Sequence, residues 1–262
     1  MTKPAIAKDS KVYVAGHRGL AGSAIVRGLK KRGYTNLVMR THAELDLTQD
    51  AAVQKFFDVE RPEYVFLAAA KVGGIMAHSV APANFILENI RIQNNVLEAS
   101  HQVGVKRLLF LGSSCIYPRE CPQPIREEYL LTGPLEPTNR PYALAKIAGI
   151  EVCWAMNRQY GTRFVAAMPT NLYGPGDNYD LQSSHVIPAL IRKMDTAKIE
   201  GRAEVVLWGS GTPRREFLHS DDLADGAVFV METPDEQFLP LVTQKDSPPL
   251  INVGCGTDQT IR

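Results

Sequence analysis

Short, almost wholly apolar runs recur between longer stretches of helical periodicity, and this alternation limits the possible folds more than any other feature of the chain. Residues 11–15, 36–40, 64–70, 107–112 and 163–169 read as strands, and residues 22–32, 53–60, 85–103 and 142–160 as helices. A strand lacking polar residues at every second position is buried on both faces, as in a parallel sheet covered by helices. The order strand, helix, strand therefore predicts an α/β fold with a doubly wound parallel sheet.

The texture changes after Asn171. A turn cluster, Leu172-Tyr-Gly-Pro-Gly-Asp177, leads into a helical pattern over 186–198, then a short run at 205–208 and another glycine-rich turn. We read residues 1–171 as a dinucleotide-binding domain and 172–262 as a smaller substrate-binding cap. A strand at 250–253 is expected to return to the main sheet, and a helix is expected to begin near Thr260.

Composition removes several function classes. A net charge of +1 across 262 residues gives no field designed for nucleic acid or an anionic membrane. The run Lys30-Lys31-Arg32 reads as the polar end of a helix. No apolar run approaches the ~20 residues of a membrane span, and residues 1–10 lack the apolar stretch of a signal peptide. The four cysteines, Cys115, Cys121, Cys153 and Cys255, show no metal-type spacing, which points to a reduced, cytoplasmic protein. No metal is expected; His219-Ser-Asp221-Asp222 reads as the capped start of a helix.

Gly16-His17-Arg18-Gly19-Leu20-Ala21-Gly22 follows the first strand and opens the first helix. Glycines there let backbone approach a pyrophosphate, and the helix start supplies free N–H groups and a favourable dipole. An acidic residue closing the second strand would bond the ribose hydroxyls of NAD. This chain has Arg40 there and Arg18 inside the loop, a pair suited to a 2′-phosphate, so NADP(H) is expected; two solvated arginines are the plainer alternative. Asp46 and Leu47 either flank the adenine or, for Asp46, cap a turn before Thr48.

Tyr142 and Lys146 lie one helical turn apart on the same face. A phenol titrates near ~10, and an ammonium at ~4 Å contributes about 4 kcal/mol at a surface-like dielectric, enough to lower that value. Such a Tyr can protonate an oxyanion or deprotonate an alcohol. Ser113, Ser114 and Cys115 follow directly on the 107–112 strand, at the strand end where crevice chemistry occurs in open parallel sheets. Ser113 either donates to a substrate oxygen or closes its loop, and on residue type alone Cys115 and His185 read as ordinary packing and loop residues.

Together, the glycine loop, the strand-end serine and the Tyr-x-x-x-Lys motif resemble the extended short-chain dehydrogenase/reductases, the Rossmann-type enzymes. The ordered blocks Ala15-Gly-His-Arg-Gly19, Ala68-Ala-Ala-Lys-Val-Gly-Gly74, Leu109 to Pro118, Met168 to Pro175, Ser184 to Ala189, Trp208 to Pro213 and Arg215 to His219 resemble, more narrowly, the GDP-L-fucose synthase group. That resemblance implies a bifunctional homodimer acting on a GDP-sugar, with 3,5-epimerisation followed by NADPH-dependent reduction at C4. It implies Cys115 as base and His185 as acid in the epimerisation. In the reduction it implies Tyr142 as proton donor, Ser113 steadying the same oxygen, and Lys146 lowering the Tyr142 pKa and bonding the nicotinamide ribose. Leu111, Gly112, Ser114, Pro169, Thr170, Asn171, Leu172 and His185 are then expected along the cofactor. Lys193, Trp208 and Arg215 are expected at the GDP, with Lys193 a departure from the group's Arg that gives up its bidentate fork. The group's members continue past the position matching Arg262, so the cap is expected to be incomplete. The helices 85–103 and 142–160 are expected to pair two subunits. Another nucleotide-sugar epimerase, dehydratase or reductase, and a non-catalytic NADP(H)-binding regulator, remain as alternatives.

Overall fold

A computed structural model describes residues 6–207 and 209–261, with only the backbone of Ile75. Six parallel strands form the main sheet: β1 (Val12–Ala15), β2 (Leu37–Val38), β3 (Tyr64–Leu67), β4 (Arg107–Leu111), β5 (Phe164–Pro169) and β8 (Leu250–Val253). Their order is β2-β1-β3-β4-β5-β8, with β8 in register against β5 from Ala166↔Leu250 to Pro169↔Val253. The strand at 250–253 does return to the sheet, as its apolar run suggested. A second, three-stranded sheet joins β6 (Asn171–Tyr173), β7 (Arg214–His219) and β9 (Asp258–Thr260).

Side chains of each central strand point alternately to two cores. On one face, Val65, Leu67, Leu108 and Phe110 meet α2 (Asp50–Glu60), α4 (Pro82–Gln102) and α5 (Arg140–Tyr160). On the other, Val12, Val14, Phe66 and Leu109 meet α1 (Leu20–Lys31), α7 (Ser220–Glu232) and α8 (Asp235–Val242). At Gly28, α1 packs against α7, where a Cβ would meet the Ala224 methyl at 3.5 Å, an ordinary contact. Residues 220–253, within the segment read from sequence as a cap, thus share the core of the first domain. What stands over the strand ends is β6, β7, β9 and α6 (Val186–Ile199).

Three local expectations are corrected. Residues 205–207 form no strand, because Val206 is exposed and has nothing to pair with; Trp208 lies outside the described residues. Thr260 ends a strand antiparallel to β7 instead of starting a helix. The cap of α7 is His219, whose Nδ1 accepts the Asp221 N–H at 3.2 Å, not Ser220 or an aspartate. No described helix is long and apolar enough to cross a membrane.

Candidate active site

The strand order reverses between β1 and β3, so loops leaving these two strands diverge and open a crevice at their C-terminal ends. Gly16, directly after β1, has φ +83°, and a Cβ there would lie 2.7 Å from the Ala69 nitrogen. Its carbonyl accepts the Gly19 N–H at 3.0 Å, and a Cβ on Gly22 would stand only 2.1 Å from that same oxygen. Only glycine fits at either position. Gly19 caps α1 without a side-chain bond, leaving the first-turn N–H groups of Leu20, Ala21 and Gly22 for an anion. The cradle fits a dinucleotide pyrophosphate.

At the adenosine end, His17 lies near the Arg40 backbone, so the glycine loop approaches the end of β2. Arg18 is exposed, and its charge and that of Arg40 help hold the Glu44 carboxyl below the usual range, behind the larger effect of hydrogen bonding at Thr41. Arg40 is not simply solvated: it pairs with Glu60 at 2.6 Å and lies over the Phe56 ring. Asp46 accepts both the N–H and the hydroxyl of Thr48, at 2.9 and 2.8 Å, the turn cap that its position allowed. Leu47 is buried and its carbonyl receives Asn95.

Farther along, Gly112 donates to the Ala167 carbonyl at 2.9 Å, which fixes the exit of β4 beside that of β5. Ser113 then enters a 3-10 turn, Ser114–Ile116, that turns Cys115 toward α5. The Ser113 hydroxyl lies against both Tyr142 and Cys115, close enough to lower the pKa of each. Lys146 is buried, donates to the Leu111 carbonyl at 2.7 Å and lies 5.8 Å from the centre of the Tyr142 ring. Ser113, Cys115, Tyr142 and Lys146 therefore form one cluster.

Burial dominates its electrostatics. It lowers Lys146 to about 8 and pushes the Cys115 thiol up to about 11, while Ser113 and Lys146 pull the thiol the other way. Tyr142 is pushed well above the ordinary phenol range, by burial first and the neighbouring Cys115 second. The lowered Tyr142 pKa expected from the Tyr–Lys spacing is thus not found. The ammonium is turned toward the Leu111 carbonyl, and desolvation in the core outweighs the help of Ser113.

The opposite wall starts from β3. The loop after it is held by Lys71–Glu88 at 2.7 Å and by Asn89, which bonds both the N–H and carbonyl of Lys71. Gly74 then donates to Ser183 at 2.9 Å, and a Cβ on Gly74 would sit 2.7 Å from the Ser184 oxygen. This contact ties α3 (Ile75–Val80) to the loop that ends in His185, the exposed N-cap of α6. Sequence reasoning left His78 without a partner, yet its ring packs 5.3 Å from Tyr142 and within the field of His185. The available signal was Gly73-Gly74 four residues ahead, which announces close backbone approach.

Pro169 to Leu172 run from β5 into β6, with the Thr170 hydroxyl buried and unpartnered. His17, His78, Asp177 and Ser184 also present buried unpaired polar atoms around this crevice, as expected where a ligand supplies the partners. Arg215 is exposed on β7, and Lys193 on α6 donates to the Val206 carbonyl at 3.2 Å. Among the described residues no group of three or more His, Cys, Asp or Glu could hold a metal ion.

Residues 12–242 match the NAD dependent epimerase/dehydratase family. The chain is 55% identical over 255 residues to GDP-L-fucose synthase 1 of Arabidopsis thaliana, covering 97% of this chain and 76% of that protein. It superposes with TM-score 0.84 on a GDP-L-fucose synthetase of Naegleria fowleri bound to NADP, at 31% identity, covering 97% of this chain and 80% of that one. A GDP-mannoheptose C4 reductase of Campylobacter jejuni with NADP bound gives TM-score 0.86 at 41% identity, covering 98% and 83%.

Proposed function

This chain belongs to the NAD dependent epimerase/dehydratase family, and from that premise we infer that it converts GDP-4-dehydro-6-deoxy-D-mannose to GDP-L-fucose. The observation that carries the reading is that Cys115, Tyr142 and Ser113 lie together at the end of β4, each within the influence of the others. A C4 reductase needs the phenol; inversion at C3 and C5 needs a second acid–base group, and the thiol supplies it.

The substrate's C4 ketone acidifies the protons on C3 and C5. At each centre Cys115 removes the proton and His185 delivers one to the opposite face of the enolate, thiol and imidazole exchanging protons with solvent between the two inversions. The thiol rests protonated, and the Ser113 hydroxyl first and the neighbouring Lys146 ammonium second favour its ionisation. Once formed, a thiolate of raised pKa is a strong base. NADPH, when bound in the glycine cradle, supplies hydride for C4. Tyr142 then gives its proton to the C4 oxygen, which Ser113 orients; proton transfer by a placed side chain contributes ~10²–10⁴-fold. A phenol held above its ordinary pKa keeps its proton until an alkoxide develops. Lys146 turns from the Leu111 carbonyl to the cofactor ribose and the phenol.

Arg18 and Arg40 favour NADP(H), Arg40 keeping donors free beyond its bond to Glu60. Lys193, Arg215 and Trp208 are assigned to the GDP. The paired helices α4 and α5, with exposed Leu87 and Leu144, are the homodimer surface. Four unpaired cysteines support a cytoplasmic setting.

A C4 reductase that does not epimerise is the second reading, favoured by the resemblance to the Campylobacter enzyme. Incubation with GDP-4-dehydro-6-deoxy-D-mannose and NADPH separates the two by product. GDP-L-fucose supports the bifunctional reading; a GDP-6-deoxyhexose of D configuration refutes it.

A further inference from the structure

His78 has no part in the steps above, although the fold carries it into the crevice. Its residue is 7% exposed, and its ring centre lies 4.0 Å from that of Phe85 and 5.3 Å from that of Tyr142. The Gly74–Ser183 bond fixes α3 against the loop of His185, so His78 lies near both the phenol and the second imidazole. Its Nδ1 is buried with no partner. Burial, the largest effect, and the nearby His185 favour the neutral ring, in which one nitrogen carries a proton and the other a lone pair. Leaving such a nitrogen unpaired costs ~1–3 kcal/mol, and native structures retain that cost mainly where a ligand or function requires it.

We propose that His78 is a substrate-contacting residue whose Nδ1 forms a hydrogen bond with one hydroxyl of the bound hexose, beside the Tyr142 phenol. The proposal rests on the GDP-sugar reading above. A hydroxyl both donates and accepts, so it satisfies this nitrogen in either neutral tautomer. Phe85 and Tyr142 keep the contact dry, which strengthens it. Nδ1 is closed to water before binding, so the bond forms as the six-residue α3 adjusts around the sugar.

Calorimetric binding of GDP-L-fucose, and of analogues each lacking one hexose hydroxyl, to the NADP⁺-loaded protein tests this. His78→Phe keeps a ring and removes its nitrogens; it is expected to bind GDP-L-fucose about 10-fold more weakly with NADP⁺ affinity unchanged. One deoxy analogue should bind wild type and His78→Phe equally, because the lost bond is already absent. Wild-type affinity in His78→Phe, or a tenfold loss that persists for every analogue, overturns the proposal. If His78→Phe also loses NADP⁺, the smaller His78→Leu is judged by the same criterion. A wild-type protein that binds NADP⁺ but not GDP-L-fucose overturns the GDP-sugar reading, and this proposal with it.

Discussion

The two walls of the crevice are built in opposite ways. Ser113, Cys115, Tyr142 and Lys146 stand on a strand end and a helix sunk in the core, with Tyr142 at 8% and Lys146 at 3% exposure. Arg215 is exposed, and α6, which carries Lys193, buries only Pro188 and Ala197 of its fourteen residues. Groups that move protons gain from burial, because desolvation shifts their pKa values and packing fixes their geometry. Groups that grip a charged nucleotide work while wet and tolerate adjustment. Substitutions on the first wall should therefore change rates, and those on the second should change affinity.

The largest effect expected is from Tyr142→Phe, which should reduce NADPH oxidation ~10²–10⁴-fold with little change in KM for the sugar. Undiminished turnover would remove the phenol from the reduction. On the exposed wall, Arg215→Ala should raise KM for the GDP-sugar about 10-fold and leave kcat near wild type, the loss of one charge-assisted contact. A fall in kcat with KM unchanged would merge the two walls.

The smallest effect is a pH dependence of stability. Lys146 titrates near 8 in the folded protein and at the ordinary 10.5 in the unfolded chain. Between these values the unfolded state binds more protons, so this residue's contribution rises as pH increases. The buried thiol of Cys115, raised to about 11, acts oppositely above its ordinary value of 9.0, so the cleanest window is pH 8 to 9. There, urea midpoints of the cofactor-free protein should rise relative to those of Lys146→Met. Parallel profiles would mean that Lys146 is not held low.

The same contrast governs what the sequence made legible. The buried wall could be read because β1, β3, β4 and β5 are continuous apolar runs and its glycines sit at fixed offsets from them. Ser113 follows from the end of β4 and Tyr142 from helical periodicity, whereas the role of Cys115 came only from the family resemblance. The open wall could not be read in this way. β7 has four of six residues polar or charged, Arg214, Arg215, Glu216 and His219, and it pairs with a segment more than forty residues away, Asp258–Thr260. Val205-Val206-Leu207 has strand-like residues without a partner strand. His78 was missed because its meaning depends on Gly74 touching Ser183, a contact between segments distant in sequence. The direction of the Tyr142 shift was misjudged for a related reason: helical spacing places Lys146 on the correct face but does not reveal the Leu111 carbonyl that draws its ammonium away.

Solvent deuterium exchange in the Tyr142→Phe background tests most directly whether the thiol and the phenol address one bound hexose. With reduction blocked, NADP⁺ bound and the 4-keto sugar supplied in D₂O, deuterium should enter at C3 and C5. Adding Cys115→Ser should slow that entry by at least ~10²-fold. Exchange at the same rate in the double variant, or none with Cys115 intact, would contradict the account.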